Sequence, residues 1–175
     1  MRMRTTRVFL VGTVTVALLG GLGGAVVAQG EEMLGATFSG TSECMVTGFG
    51  ETNDADQRRG YASECTVNSS DPRASGTNTI AWDSDCNSGI GACVGWGTFN
   101  LAGPDGTWEG SLTGSTVGSG EDIRDMDVMV GRGTGAYEGW TLIAFIAGTE
   151  FGNPFAGTID GLIWFGDPPP PWGTA

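Results

Sequence analysis

The chain has 175 residues, a formal net charge of −12 and 32 glycines, and it contains neither histidine nor lysine. These absences exclude a histidine-based triad, a histidine-ligated zinc and a lysine Schiff base within this chain. No cofactor is predicted. The acidic balance also argues against a nucleic-acid partner, because neutralising phosphates requires clustered Lys or Arg.

The first 28 residues are predicted to be a secretory signal peptide. Three arginines among the first seven residues precede a mostly apolar segment, residues 8 to 19, and small residues then mark a cleavage site between Ala28 and Gln29. A retained membrane anchor is the alternative, but the segment is short and interrupted by glycine for a span of about 20 residues. Cleavage would leave five arginines and twenty carboxylates, a net charge of −15. We therefore predict a secreted, acidic protein without a stable membrane span.

The rest of the chain has the pattern of an all-β domain, since no apolar repeat of 3.6 residues reaches helix length. A short extension, residues 29 to 35, precedes the predicted β domain, residues 36 to 166, and a Pro-rich tail, residues 167 to 175, follows it. Strands are predicted near residues 36–48, 60–68, 77–83, 92–101, 107–113, 125–132, 136–148 and 155–165. The short turns between them favour one antiparallel eight-stranded up-and-down barrel, because closure removes exposed sheet edges.

The last two predicted strands are apolar on both faces. In the seventh strand, Ile143 and Phe145 alternate with Leu142 and Ile146. One face would fill the barrel, so the other face needs a cover, which favours a homo-oligomer or a bound ligand.

The four cysteines are predicted to form two disulfides, because an even number in an exported domain is typical of a disulfide framework. Cys44–Cys65 with Cys86–Cys93 is the favoured pairing, since each pair brackets a plausible hairpin. Pairing Cys65 with Cys86, which leaves Cys44 for Cys93, remains open.

The stretch GRGTGAYEGW, residues 131 to 140, fits the spacing of a dinucleotide-binding loop. Such a loop requires a following helix, whereas AYEGWTLIAFIAGT is rich in β-branched and aromatic residues. GTWEG, residues 106 to 110, repeats the pattern of GAYEG, residues 135 to 139, without the preceding glycines. We therefore interpret residues 131 to 140 as a turn between the sixth and seventh strands.

Calcium is the only metal for which the sequence offers candidates. Asp83, Asp85 and Asn87 alternate as in calcium loops, but position twelve of an EF-hand would be Val94 rather than Glu. A looser site could include residues from the sixth strand and the loop before it: Glu121, Asp122, Asp125 or Asp127. A solvated turn with Asx hydrogen bonds is the favoured interpretation.

Glu109 and Glu138 occupy matching positions in the two repeats and are the candidate acid–base pair. Paired carboxylates serve this role where their surroundings separate their pKa values. Tyr137 and Arg132 are the accompanying candidates for handling protons or stabilising an anion. The favoured alternative is that both glutamates are surface residues.

Aromatic residues supply the candidate ligand-binding positions. The residues that we expect to contact a small apolar ligand are Trp96, Trp108, Tyr137 and Trp140. Core packing or an oligomer interface is the commoner use of such residues.

Three elements, ECTVNSSDPRASG, the G-x-W-E-G strand start and VGRGTGAYEGWT, resemble a group of exported bacterial proteins whose strand pattern is similar to the allene oxide cyclase and dirigent β-barrels. The resemblance covers roughly residues 36 to 166. It implies a barrel whose mouth receives small apolar molecules, and no catalytic residue can be carried over from it. Because the chain has no histidine or lysine and its cysteines are expected to be paired, we expect a non-catalytic module that binds a small apolar ligand or a partner. A cyclase or isomerase that confines an apolar substrate in the barrel is the alternative.

Overall fold

A computed structural model describes residues 35–53, 55–118, 123–150 and 153–168, with the side chains of residues 149 and 150 excepted. The predicted signal peptide, its cleavage site at Ala28 and Gln29, the calcium candidates Glu121 and Asp122, and most of the Pro-rich tail lie outside the described residues. No helix among the described residues is long and apolar enough to cross a membrane.

Eight long antiparallel strands form a closed barrel, and one two-residue strand pairs with the start of the second long strand. They are β1 (Ala36–Gly48), β2 (Glu51–Thr52), β3 (Gln57–Ser69), β4 (Gly76–Asn87), β5 (Ala92–Ala102), β6 (Gly106–Val117), β7 (Arg124–Gly135), β8 (Trp140–Glu150) and β9 (Phe155–Phe165), with a 3-10 turn at Pro72–Ala74. Each long strand pairs with the next along the chain, and β1 pairs with both β3 and β9. The predicted eight-stranded up-and-down barrel is confirmed.

Several predicted strand boundaries were wrong. The second predicted strand begins at Gln57 rather than at residue 60, the fifth continues to Val117 rather than to residue 113, and the sixth continues to Gly135 rather than to residue 132. The seventh predicted strand begins at Trp140 rather than at residue 136, because residues 136 to 139 form a turn and Gly139 takes a φ of +83°. The third predicted strand continues to Asn87, since its ladder with β5 extends through Cys86 and Cys93. The interpretation of residues 131 to 140 as a turn between strands holds for residues 136 to 139, whereas residues 131 to 135 still belong to β7.

Both disulfides join residues that face each other directly on neighbouring strands. Cys44 pairs with Cys65 across β1 and β3, and Cys86 pairs with Cys93 across β4 and β5. The favoured pairing is confirmed and the rival pairing is excluded. Two disulfides are typical of a protein that matures in an oxidising compartment.

The hydrophobic core fills one end of the barrel, which we call the packed end. It is the end where β5 meets β6 and where β7 meets β8. Trp108, Leu101 and Ile163 have no exposed surface there, and Phe38 and Tyr137 are almost fully buried. Because inward-facing side chains alternate along each strand, the same strands continue to the other end of the barrel with a different set of inward residues.

Candidate functional site

The end of the barrel opposite the packed end holds a cavity of about 480 Å³, which we call the lumen cavity. Its apolar wall consists of Ile80, Trp82, Leu112, Ile123, Phe155 and the Cys86–Cys93 disulfide. Small inward residues leave the space open: Ser63, Ser84, Gly95 and Gly114 line the cavity where larger side chains would fill it. A volume of this size lies within the range of about 300 to 1,000 Å³ that is usual for small-molecule sites.

Two carboxylates face the lumen cavity from β7. Asp125 and Asp127 are two residues apart on the inward face, a separation of about 7 Å by strand geometry. The Thr116 hydroxyl donates a hydrogen bond of 2.6 Å to Asp125 Oδ1. No described residue donates a hydrogen bond to Asp127, whose carboxylate lies over the backbone of Gly114. A methyl group at position 114 would overlap Asp127 Oδ1.

Burial raises the pKa of Asp127 to about 7, and the negative charge of Asp125 adds to this effect. Both causes act in the same direction, because each disfavours the ionised carboxylate. Asp127 therefore changes its charge near neutral pH, although the chain has no histidine. Strongly shifted carboxyl groups in cavities are concentrated at functional sites.

Trp82 forms an ordered aromatic wall of the lumen cavity. Its indole Nε1–H donates a hydrogen bond of 3.2 Å to the Ser63 hydroxyl, and its ring lies 4.8 Å from the ring of Tyr61. At the mouth, Asp56 and Arg58 contribute one charge of each sign. The cavity thus combines apolar walls with a few convergent polar groups.

The structure places three of the four predicted ligand-binding aromatics away from the lumen cavity. Trp108 and Tyr137 stack on each other in the packed end, with ring centroids 5.0 Å apart. Trp140 lies at the same end, with the Arg73 guanidinium 5.0 Å from its ring. Trp96 is on the outer face of β5 at the edge of the cavity, and Arg59 lies 5.1 Å from its ring.

The predicted acid–base residues also lie outside the lumen cavity. Glu109 and Arg132 are cross-strand neighbours on the outer face, where Asn100 donates a hydrogen bond to Glu109 and Asp167 forms an ion pair with Arg132. Tyr137 is buried, and its hydroxyl accepts a hydrogen bond from the backbone N–H of residue 105. Glu138 is exposed and shares a surface depression with Arg132 and Trp140 at the packed end. The two glutamates are therefore not brought together in the lumen.

The calcium candidates are divided between the two faces of the barrel. Asp85 forms an ion pair of 2.6 Å with Arg59, Asp83 accepts a hydrogen bond from the backbone of residue 60, and Asn87 accepts one from residue 89. These three side chains alternate with the inward residues of β4, whereas Asp125 and Asp127 face inward from β7. No group of three potential metal ligands occurs in the described ranges.

Asp127 is the principal polar residue of the lumen cavity, whereas the sequence pattern predicted it only as a calcium candidate. The sequence does contain evidence for its inward position. Asp125 and Asp127 occupy every second position of β7 together with Met129, which is fully buried. Two carboxylates in phase with a core residue indicate a polar segment of an inward face.

Comparisons with known proteins return no match to this chain, whether with family models, with curated proteins or with solved structures.

Proposed function

We propose that this protein is secreted and binds a small, largely apolar molecule in its lumen cavity. The observation that carries the proposal is the half-filled barrel, in which a packed end supports an open cavity of about 480 Å³ with mostly apolar walls. Small-molecule sites combine apolar walls with a few polar groups in this way.

The alternative function, a cyclase or isomerase, has less support from the residues that the sequence indicated for it. Glu109, Glu138, Tyr137 and Arg132, its candidate proton-handling groups, do not line the lumen cavity. A bound molecule would contact Trp82 and the β7 carboxylates instead. Binding without chemistry therefore accounts for the geometry with fewer assumptions.

The homo-oligomer stays a prediction with its own support. Several large apolar side chains are exposed on β7, β8 and β9: Met126, Phe145, Leu162 and Phe165. Exposed apolar patches of this kind are typical of protein interfaces. Native mass spectrometry reports the oligomeric state together with any bound molecule.

The binding proposal is tested by native mass spectrometry of protein purified from its own host, together with titration of the neutral fluorophore N-phenyl-1-naphthylamine. Gly95→Phe is the blocking variant, because a Cβ at this position meets only ordinary contacts, 3.5 Å from the carbonyl oxygen of residue 83, and the ring would extend into the lumen cavity. Thr98→Phe places the same ring on the exposed outer face of the same strand and is the matched control.

We expect the unmodified protein and Thr98→Phe to bind the fluorophore or to carry a co-purifying small molecule, and Gly95→Phe to do neither. Equal binding by Gly95→Phe and Thr98→Phe would contradict a lumen site. A protein that carries no molecule and binds no neutral probe would refute the proposed function.

A further inference from the structure

The two carboxylates of the lumen cavity have no cationic partner among the described residues. The chain has no lysine or histidine. Three arginines form ion pairs elsewhere: Arg59 with Asp85, Arg73 with Asp71 and Arg132 with Asp167. Arg124 is exposed, and Arg58 lines the cavity mouth without forming an ion pair to either carboxylate. The described part of the chain therefore leaves a bound molecule as a source of positive charge beside them.

The surroundings of Asp127 in the lumen cavity are a glycine that admits its carboxylate and an aromatic ring that lines the same space. Gly114 admits the carboxylate, since any larger residue there would overlap it. Trp82, held by its hydrogen bond to Ser63, presents an aromatic surface to the same cavity. A carboxylate and an indole ring are both groups that attract an organic cation.

We propose that the ligand of the lumen cavity is a small organic cation, an amine with an apolar body, whose ammonium group pairs with Asp127 while its body contacts the apolar wall. This inference rests on the proposed binding function and names the chemical class of its ligand. The apolar wall of Ile80, Leu112 and Phe155 selects against a hydrated metal ion, which would leave those side chains without contacts.

The pairing makes binding dependent on pH. The charged groups that line the cavity are Asp56, Arg58, Asp125 and Asp127. Because the pKa of Asp127 lies at about 7, this carboxyl is ionised at pH 8.5 and protonated at pH 5.5. An ammonium group that requires the ionised form loses affinity by up to about 30-fold between these two pH values.

The test compares 2-phenylethylamine with 2-phenylethanol by isothermal titration calorimetry on the purified protein with both disulfides intact. The two probes share one apolar body and differ in an ammonium group against a hydroxyl. Asp127→Asn removes the ionisable group without changing its shape. Asp160→Asn makes the same change on the exposed outer face of β9 and is the control.

At pH 8.5 we expect the amine to bind the unmodified protein and Asp160→Asn about tenfold more tightly than the alcohol, because a charge-assisted hydrogen bond exceeds a neutral one by about this factor. Asp127→Asn should bind the two probes equally well. In the unmodified protein and Asp160→Asn, lowering the pH to 5.5 should weaken binding of the amine and leave binding of the alcohol unchanged. Equal affinity for both probes, or a preference that survives in Asp127→Asn, would overturn the cation inference and leave the binding function standing. Failure of both probes to bind would also overturn the cation inference, whereas the binding function itself is decided by the fluorophore titration and the co-purifying molecule.

Discussion

Asp127 should make the protein less stable as the pH rises. The perturbation is Asp127→Asn, which keeps the shape of the side chain and removes its charge. In the folded protein the pKa of Asp127 is raised from the ordinary value of 3.8 to about 7 by burial and by Asp125. The folded state therefore binds this proton more tightly than the unfolded state does.

The direction of this pH dependence follows from the linkage between proton binding and folding. The contribution of this proton to stability is fully present below pH 3.8 and is lost as the pH rises to about 7. Each tenfold difference in proton affinity is worth about 1.4 kcal/mol, so the full loss is at most about 4 kcal/mol. Asp127→Asn should match the unmodified protein near pH 4 and exceed its free energy of unfolding by up to about 4 kcal/mol at pH 8.5.

The assay is urea unfolding followed by tryptophan fluorescence between pH 4 and pH 9, with Asp160→Asn as the control. Arg73 holds the pKa of Asp71 below its usual value by a hydrogen bond, which gives the opposite trend at low pH. That trend is common to all three proteins and cancels in the difference between them. A difference between Asp127→Asn and the unmodified protein that stays constant across this range would refute a buried, titrating Asp127.

Three further predictions concern stability, each measured by urea unfolding. A disulfide that closes a longer loop stabilises the folded state more. Removing Cys44–Cys65, with a separation of 21 residues, should cost about 3 kcal/mol, and removing Cys86–Cys93, with a separation of 7, should cost about 1 kcal/mol less. The opposite order of the two costs would contradict this dependence on loop length. Trp108→Ala should cost about 3 to 5 kcal/mol because its ring is fully buried, whereas Trp96→Ala on the outer face should cost about 1 kcal/mol or less. Gly131→Ala should cost about 1 to 3 kcal/mol, since its Cβ would lie 2.6 Å from Phe99 Cζ. Gly95→Ala, where the added Cβ meets only ordinary contacts, should change stability by less than about 1 kcal/mol. Similar costs for the two variants would argue against a close contact between Gly131 and the Phe99 ring.

The strands and the disulfides were predictable because both depend on a local period of two. Phe38, Ser42 and Cys44 share a face in the sequence pattern and are all buried in the barrel. The same alternation places Cys65 on the inward face of β3, directly opposite Cys44. A short-range pattern was therefore enough to indicate the strands and to favour the cysteine pairing that joins Cys44 to Cys65.

The position of Tyr137 was not predictable from the repeat that relates GAYEG to GTWEG. Trp108 lies within β6, whereas Tyr137 lies in a turn and folds back so that its ring is about 3 Å from where a Cβ on Gly106 would be. Similar segments thus take different backbones, and their two rings stack. Only the contact between these distant segments decides the conformation of the second.

The side chains that lie over the inward glycines explain why one half of the barrel is filled and the other open. In the packed half an aromatic ring from another strand covers two of these glycines: Phe99 covers Gly131, and Phe38 covers Gly161. In the open half no ring covers Gly95, and the Asp127 carboxylate lies over Gly114. A glycine leaves the same space in both halves, so the cavity lies where no ring refills that space. A ligand that packs its apolar body over Gly95 and its charged end beside Gly114 would complete the packing that Phe99 and Phe38 provide at the other end.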